Sequence, residues 1–159
     1  MNFSRCNVHW IVAVAVLLLN GAAAAGAEAV TPAMAGNWQG SGKIVVIWCH
    51  QPSVAVSVTI QLDGQVTGQV GDARLVDGRF ARNRGWLGRK LNLATDYIIA
   101  GRLEGPLVAA EGITRSRVMI PLNFDGGKFA GGLGTSGWPF GGKKGMPFTV
   151  RNLTLHRSP

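Results

Sequence analysis

The feature that most constrains this chain is a two-residue alternation of apolar and polar side chains, which recurs along it while no window after the first thirty residues sustains a helical period. In Val54–Leu62 (VAVSVTIQL) the residues Val54, Val56, Val58, Ile60 and Leu62 face one way and Ala55, Ser57, Thr59 and Gln61 the other. Val118, Ile120, Leu122 and Phe124 share a second such face, opposed by Arg115, Arg117, Met119 and Pro121. The missing N–H of Pro121 favours an edge, a bulge or a local break. Tyr97, Ile99, Gly101 and Leu103 define a third, and Trp38, Gly40, Gly42, Ile44, Val46 and Trp48 a fourth, within an opening strand expected from about Asn37 to Cys49.

Turns follow from keeping the apolar phase, since a one-residue slip would move every side chain to the wrong face. Pairing Leu62 with Val66, Ile60 with Gly68 and Val58 with Val70 predicts a loop of Asp63, Gly64 and Gln65. Asp77-Gly78 and Gly126-Gly127 read as two-residue hairpin loops, the first setting Leu75 against Phe80 and the second Phe124 against Phe129. In FTVRNLTLHRSP, Phe148 and Val150 are out of phase with Leu153 and Leu155, which predicts a bulge at Arg151 or Asn152. These segments make about eight or nine short strands: an all-β antiparallel meander closing into a small barrel, with a β-sandwich as the alternative.

Residues 1–29 stand apart. Arg5, the apolar run Trp10–Leu19 and the small-residue tract that follows have the three-part order of a cleaved signal peptide, with processing expected after Ala27 or Ala29. Ten apolar residues are too few to span a bilayer, and no later window approaches that length. The expectation is a secreted or periplasmic chain of one domain over residues 30–159, with no transmembrane span after processing. That portion has 15 Lys plus Arg against 7 Asp plus Glu, a net charge of +8 that favours anionic partners. Its lone cysteine, Cys49, has no internal disulfide partner and reads as a small hydrophobe at a strand end.

Gly36-Asn37-Trp38 opens the first strand and Thr95-Asp96-Tyr97 precedes a later one. This resembles the lipocalin and wider calycin group, which carries G-x-W on the first barrel strand and, in many lipocalins, T-D-Y before a late strand. The resemblance implies an up-and-down barrel with a cup-like apolar interior. It also implies structural roles for Trp38 and Tyr97, and an arginine near the chain end, Arg151 or Arg157, packed across Trp38.

Residues that could carry chemistry are sparse. Cys49 and His50 are adjacent, so on a strand they would point to opposite faces, and no local carboxylate orients the ring. Asp63, Asp77 and Asp125 each precede a glycine, where turn chemistry accounts for them. No phosphate-binding G-x-x-x-x-G-K-[ST] pattern occurs, and no cofactor is implied. The expectation is therefore a non-catalytic protein, with an enzyme as the remote alternative.

Two segments offer contacts instead. Arg74 to Lys90 is basic, with Arg79, Arg82, Arg84, Arg89 and Lys90 interleaved with Phe80 and Trp86, a composition suited to an anionic surface, polysaccharide or protein, and least to nucleic acid in an exported chain. Gly134 to Pro147 has five glycines and two prolines yet contains Trp138, Phe140, Lys143 and Lys144, a possible contact loop. Two functions follow: a small apolar ligand held inside the barrel, or an outer basic and aromatic face that engages an anionic partner.

Overall fold

The computed structural model describes residues 30–83, 95–136 and 147–159. Ten strands occur in it: β1 (Gly36–Ile44), β2 (Ser53–Ile60), β3 (Gln65–Val70), β4 (Ala73–Arg82), β5 (Tyr97–Glu104), β6 (Pro106–Val108), β7 (Ile113–Thr114), β8 (Arg117–Phe124), β9 (Lys128–Ser136) and β10 (Phe148–Arg157). Eight of them form a closed antiparallel barrel in the ring order β1-β10-β9-β8-β5-β4-β3-β2, and β6 and β7 form a separate hairpin. Closure leaves no open edge in the ring, which distinguishes it from a sandwich.

Alternation sorts the side chains. On β2, Val54, Val56, Val58 and Ile60 are buried to within 2% of full enclosure while their neighbours face out. Equivalent residues of the other strands, including Leu75, Ile99, Ile120, Leu122, Leu133, Leu153 and Leu155, are equally enclosed. The interior is thus a packed apolar core of interdigitated branched side chains. The outside is mostly polar or small, interrupted by Val76, Ile98, Met119 and Pro121 on β4, β5 and β8.

Two bulges restore phase. On β10, the register shifts between Val150 and Leu153 toward β9 and between Arg151 and Thr154 toward β1, and Asn152 adopts φ +55°, at the position the broken alternation predicts. The second corrects the sequence reading: Asp77-Gly78 is a bulge inside a ten-residue β4, where Asp77 adopts φ +52°. A hairpin and a bulge both bring Leu75 and Phe80 to one face, so alternation could not separate them. Asp and Asn tolerate the left-handed conformation better than other residues with a Cβ, which suits both positions.

The real β3–β4 turn is Gly71-Asp72. Gly71 has φ +60°, and a Cβ there would lie 2.1 Å from the Leu107 carbonyl oxygen. The β2–β3 register also differs from expectation, by two residues: Ile60 pairs with Val66 and Val58 with Gly68. An even shift preserves the faces, and the turn instead takes in Gln61–Gly64, with Leu62 exposed. Hydrogen bonds from Gly64 N–H to the Gln61 carbonyl and from Gln65 N–H to Asp63 Oδ1 fix it. At the third turn the expected pairing of Phe124 with Phe129 and Leu122 with Gly131 is found. Pro121 pairs with Ile98 on one side, and on the other the ladder to β9 lapses across Ile120 and Pro121 before resuming in the same register.

Both barrel ends are covered. At one, Trp38 packs edge-on against Phe129 (4.6 Å between centroids) and Phe124 (6.0 Å), and Phe80 stacks on Tyr97 (5.1 Å). Val30 and Met34 close over this group, and Trp38 Nε1–H donates to the Met34 carbonyl at 2.8 Å. At the other end lie the β6–β7 hairpin, whose Leu107 and Val108 are fully buried, and residues 45–52. That second segment corrects the expected long first strand, which ends at Ile44 because the chain must reverse to pair Lys43 with Ser53. Arg115, expected to face outward, is buried at 4% exposure: it precedes β8, outside the alternation, and lies over the Trp48 ring at 5.4 Å.

Candidate functional site

The outer wall divides by charge. The outward residues of β1 to β3, such as Asn37, Gln39, Ser57, Thr59, Thr67 and Gln69, are neutral apart from Lys43. The β4, β5 and β8 wall instead carries Arg74, Arg79, Arg102 and Arg117. Ring order places these strands side by side although β8 is distant in sequence. Arg102 stands directly opposite Arg117, and Arg79 stands opposite Ala100, one diagonal step from Arg102.

Between them is a cleft of about 610 Å³ lined by Asp77, Arg79, Ala100, Arg102, Arg117, Met119 and Gly134, among others. Its floor is shallow because Ala100 and Gly134 put almost no side chain outward, and a Cβ built on Gly134 meets no described residue within 4 Å. Arg102 is shared between Asp77 and Glu104, both at 3.5 Å. These groups are more than half exposed, so each pair contributes at most about 1 kcal/mol. Among the described residues no carboxylate lies within ion-pair distance of Arg79 or Arg117. Two guanidinium forks are therefore free to take anionic groups.

Of the basic segment singled out in the sequence, Arg79 lines this cleft. Arg82 does not join it: it shares the phase of Phe80 and emerges at the barrel rim opposite Tyr97. Arg84, Trp86, Arg89 and Lys90, and likewise Trp138, Phe140, Lys143 and Lys144, lie outside the described residues. Arg102, Arg117 and Gly134 were missed as a group because charge was sought as a run along the chain. The alternation already turned Arg102 and Arg117 outward; only strand order brings them to Arg79. Trp38 is 2% exposed and belongs to the core, and Tyr97 is half-buried against Phe80. Arg157, not Arg151, lies over Trp38, while Arg151 faces out from β10.

A second polar group sits at the hairpin-covered end. Glu111 Oε1 accepts the backbone N–H groups of His50 (2.7 Å) and Gln51 (2.8 Å), and the Cys49 thiol donates to it at 3.5 Å. His50 Nδ1 lies 3.6 Å from Glu111 Oε2. Burial alone would raise the Glu111 pKa, but the donated hydrogen bonds from Gln51, His50 and Cys49 outweigh it and the pKa falls below the ordinary glutamate value. Burial, with the Glu111 carboxylate beside it, pushes the Cys49 thiol up, which holds it protonated and a poor nucleophile. This constellation fastens the loop to the hairpin rather than activating a group. Among the described residues no three His, Cys, Asp or Glu side chains converge as metal ligands, and no helix is long and apolar enough to cross a membrane.

The geometry defines a closed eight-stranded meander barrel with a filled interior and a basic outer cleft. No protein-family model, curated protein or solved structure matches the chain.

Proposed function

We propose that this is an exported, non-catalytic binding protein whose working surface is the outer wall, where Arg79, Arg102 and Arg117 receive the anionic groups of a partner. The observation that carries this reading is the cleft those three arginines line on the outside of a barrel whose inside is occupied by its own side chains. Placement in the periplasm or outside the cell rests on the signal-like residues 1–29. The net charge adds long-range steering toward an anionic partner, and the cleft supplies the place of contact.

The test is binding of the purified protein to carboxylate-bearing probes immobilised on beads, measured from about 0.05 to 0.5 M salt, where screening shortens the reach of exposed charges. The triple substitution R79Q/R102Q/R117Q is expected to abolish retention at every salt concentration while the far-ultraviolet circular dichroism stays unchanged. Retention equal to that of the unaltered protein rejects the reading. A matching R82Q/R84Q/R89Q/K90Q variant reports on the segment that follows β4.

A second reading, a small apolar ligand inside the barrel, is favoured by one observation: the far end is covered by a hairpin that is separate from the ring and tied down by the Glu111 and Asp72 carboxylates. Kinship with the calycins would suit that role, and Arg157 over Trp38 at 5.9 Å supports it. An apolar fluorescent probe whose binding is insensitive to salt and enhanced by E111Q is the result that selects this reading over the first.

A further inference from the structure

The arginine cleft does not end at β8. A second cleft of about 570 Å³ opens beyond Met119, lined by Pro121, Gly132, Thr149 and Arg151 among others. Met119 and Gly134 line both clefts, so the two form one trough across β4, β5, β8, β9 and β10, which are successive in the ring. Four strand steps of about 4.8 Å give it a length of roughly 19 Å. Its two ends are basic, with Arg79, Arg102 and Arg117 at one and Arg151 at the other. Its middle is apolar: Met119 is 57% exposed there, with the outward Ala100, Pro121 and Gly134 around it. Among the described residues nothing lies within 4 Å of a Cβ built on Gly134.

Resting on the reading of the wall as an anion-binding surface, we propose that the occupant is an acidic segment of another protein that lies across the strands. An apolar side chain of the segment seats on Met119 over Gly134, and carboxylates on either side of it meet the arginines. The order basic, apolar, basic is complementary to acidic, apolar, acidic, and Met is the side chain best able to adapt to such a guest. A saccharide chain would set hydroxyl groups against the apolar middle. It would also lack a stacking ring, as would the bases of a nucleic acid, because every Phe, Tyr and Trp on the described barrel strands has the inward phase. The closed ring offers no edge for strand addition, so the segment is read through its side chains alone. A second copy of this chain would bring its own arginine wall against this one.

The test uses the purified protein and two fluorescent peptides of equal length and charge, three glutamates and two glutamates flanking either a leucine or a serine, with alginate as a carboxylate polysaccharide. The leucine peptide is expected to bind about tenfold more tightly than the serine peptide, the gain from burying one such side chain. G134F fills the trough without altering charge and is expected to remove that preference while leaving the serine peptide unaffected; R151Q is expected to weaken both peptides. Equal affinity for the two peptides, alginate binding as tight as the leucine peptide, or a preference that survives G134F overturns the proposal and leaves the anion-binding wall standing. Failure of all three probes to bind overturns both.

Discussion

Arg157 lies across Trp38, its guanidinium carbon 5.9 Å from the ring centroid, and its Nη2 donates to the Ala35 carbonyl at 2.5 Å. The pair joins the two strands that close the ring, since Trp38 and Arg157 are also register partners of β1 and β10. Trp38 is buried against Phe129 and Phe124, so W38A is expected to cost about 3–5 kcal/mol, and R157Q, at the exposed side of the ring, roughly 0.5–1 kcal/mol. Urea denaturation of both variants checks this, and a W38A loss below about 0.5 kcal/mol would show that the aromatic cluster does not depend on the indole.

Stability at the Glu111 end should depend on pH. A carboxylate whose pKa is lower in the folded state stabilises fully above its unfolded value, near 4.3, and that contribution is lost as pH falls through the folded value. Amide exchange at His50 and Gln51, corrected for intrinsic rates, is therefore expected to accelerate below about pH 4. In E111Q the protection should be low and flat across the same range.

Glycine substitutions should divide sharply. G71A places a Cβ against the Leu107 carbonyl at a positive φ and is expected to destabilise by more than about 1 kcal/mol while loosening the β6–β7 hairpin. G134A enters open space at an ordinary backbone angle and should leave the thermal midpoint within a degree or two. Calorimetry of the two proteins gives the comparison directly.

The bulge on β10 offers a backbone test. Asn152 at φ +55° is expected to tolerate glycine with little change, whereas N152V should cost about 1–2 kcal/mol, because a β-branched side chain is disfavoured there. Equal stability of the two variants would mean that the ladder re-registers around position 152.

The proposed cleavage of residues 1–29 has its own readout. Mass spectrometry of the native protein is expected to place the N-terminus near Glu28 or Val30, and a mature species retaining residues 1–20 would remove the basis for export.

Much of the barrel was legible because one face of every strand is apolar. Phase alone located the β10 bulge, the Phe124–Phe129 pairing and the inward set of β2. It could not decide between events that preserve phase, such as a bulge or a turn at Asp77-Gly78, or a two-residue slip at Gln61–Gly64. Those choices depend on non-local partners: Gly71 is compelled by Leu107, 36 residues away in sequence. The basic wall was half legible for the same reason, since Arg79, Arg102 and Arg117 meet only through the order of strands in the ring.

That β10 sits between β1 and β9 has a consequence for biogenesis. Ser158 N–H donates to the Asn37 carbonyl at 2.9 Å, so the first strand finds its second neighbour only when the last arrives. Until β10 has emerged from a ribosome or translocation channel, β1 and β9 each present an unpaired edge and the apolar lining stays open to water. The chain is thus suited to remaining unfolded throughout its synthesis and to collapsing once, at the end. A deletion of β10 should consequently give not a slightly weakened barrel but a sticky, edge-exposed sheet that depends on chaperones.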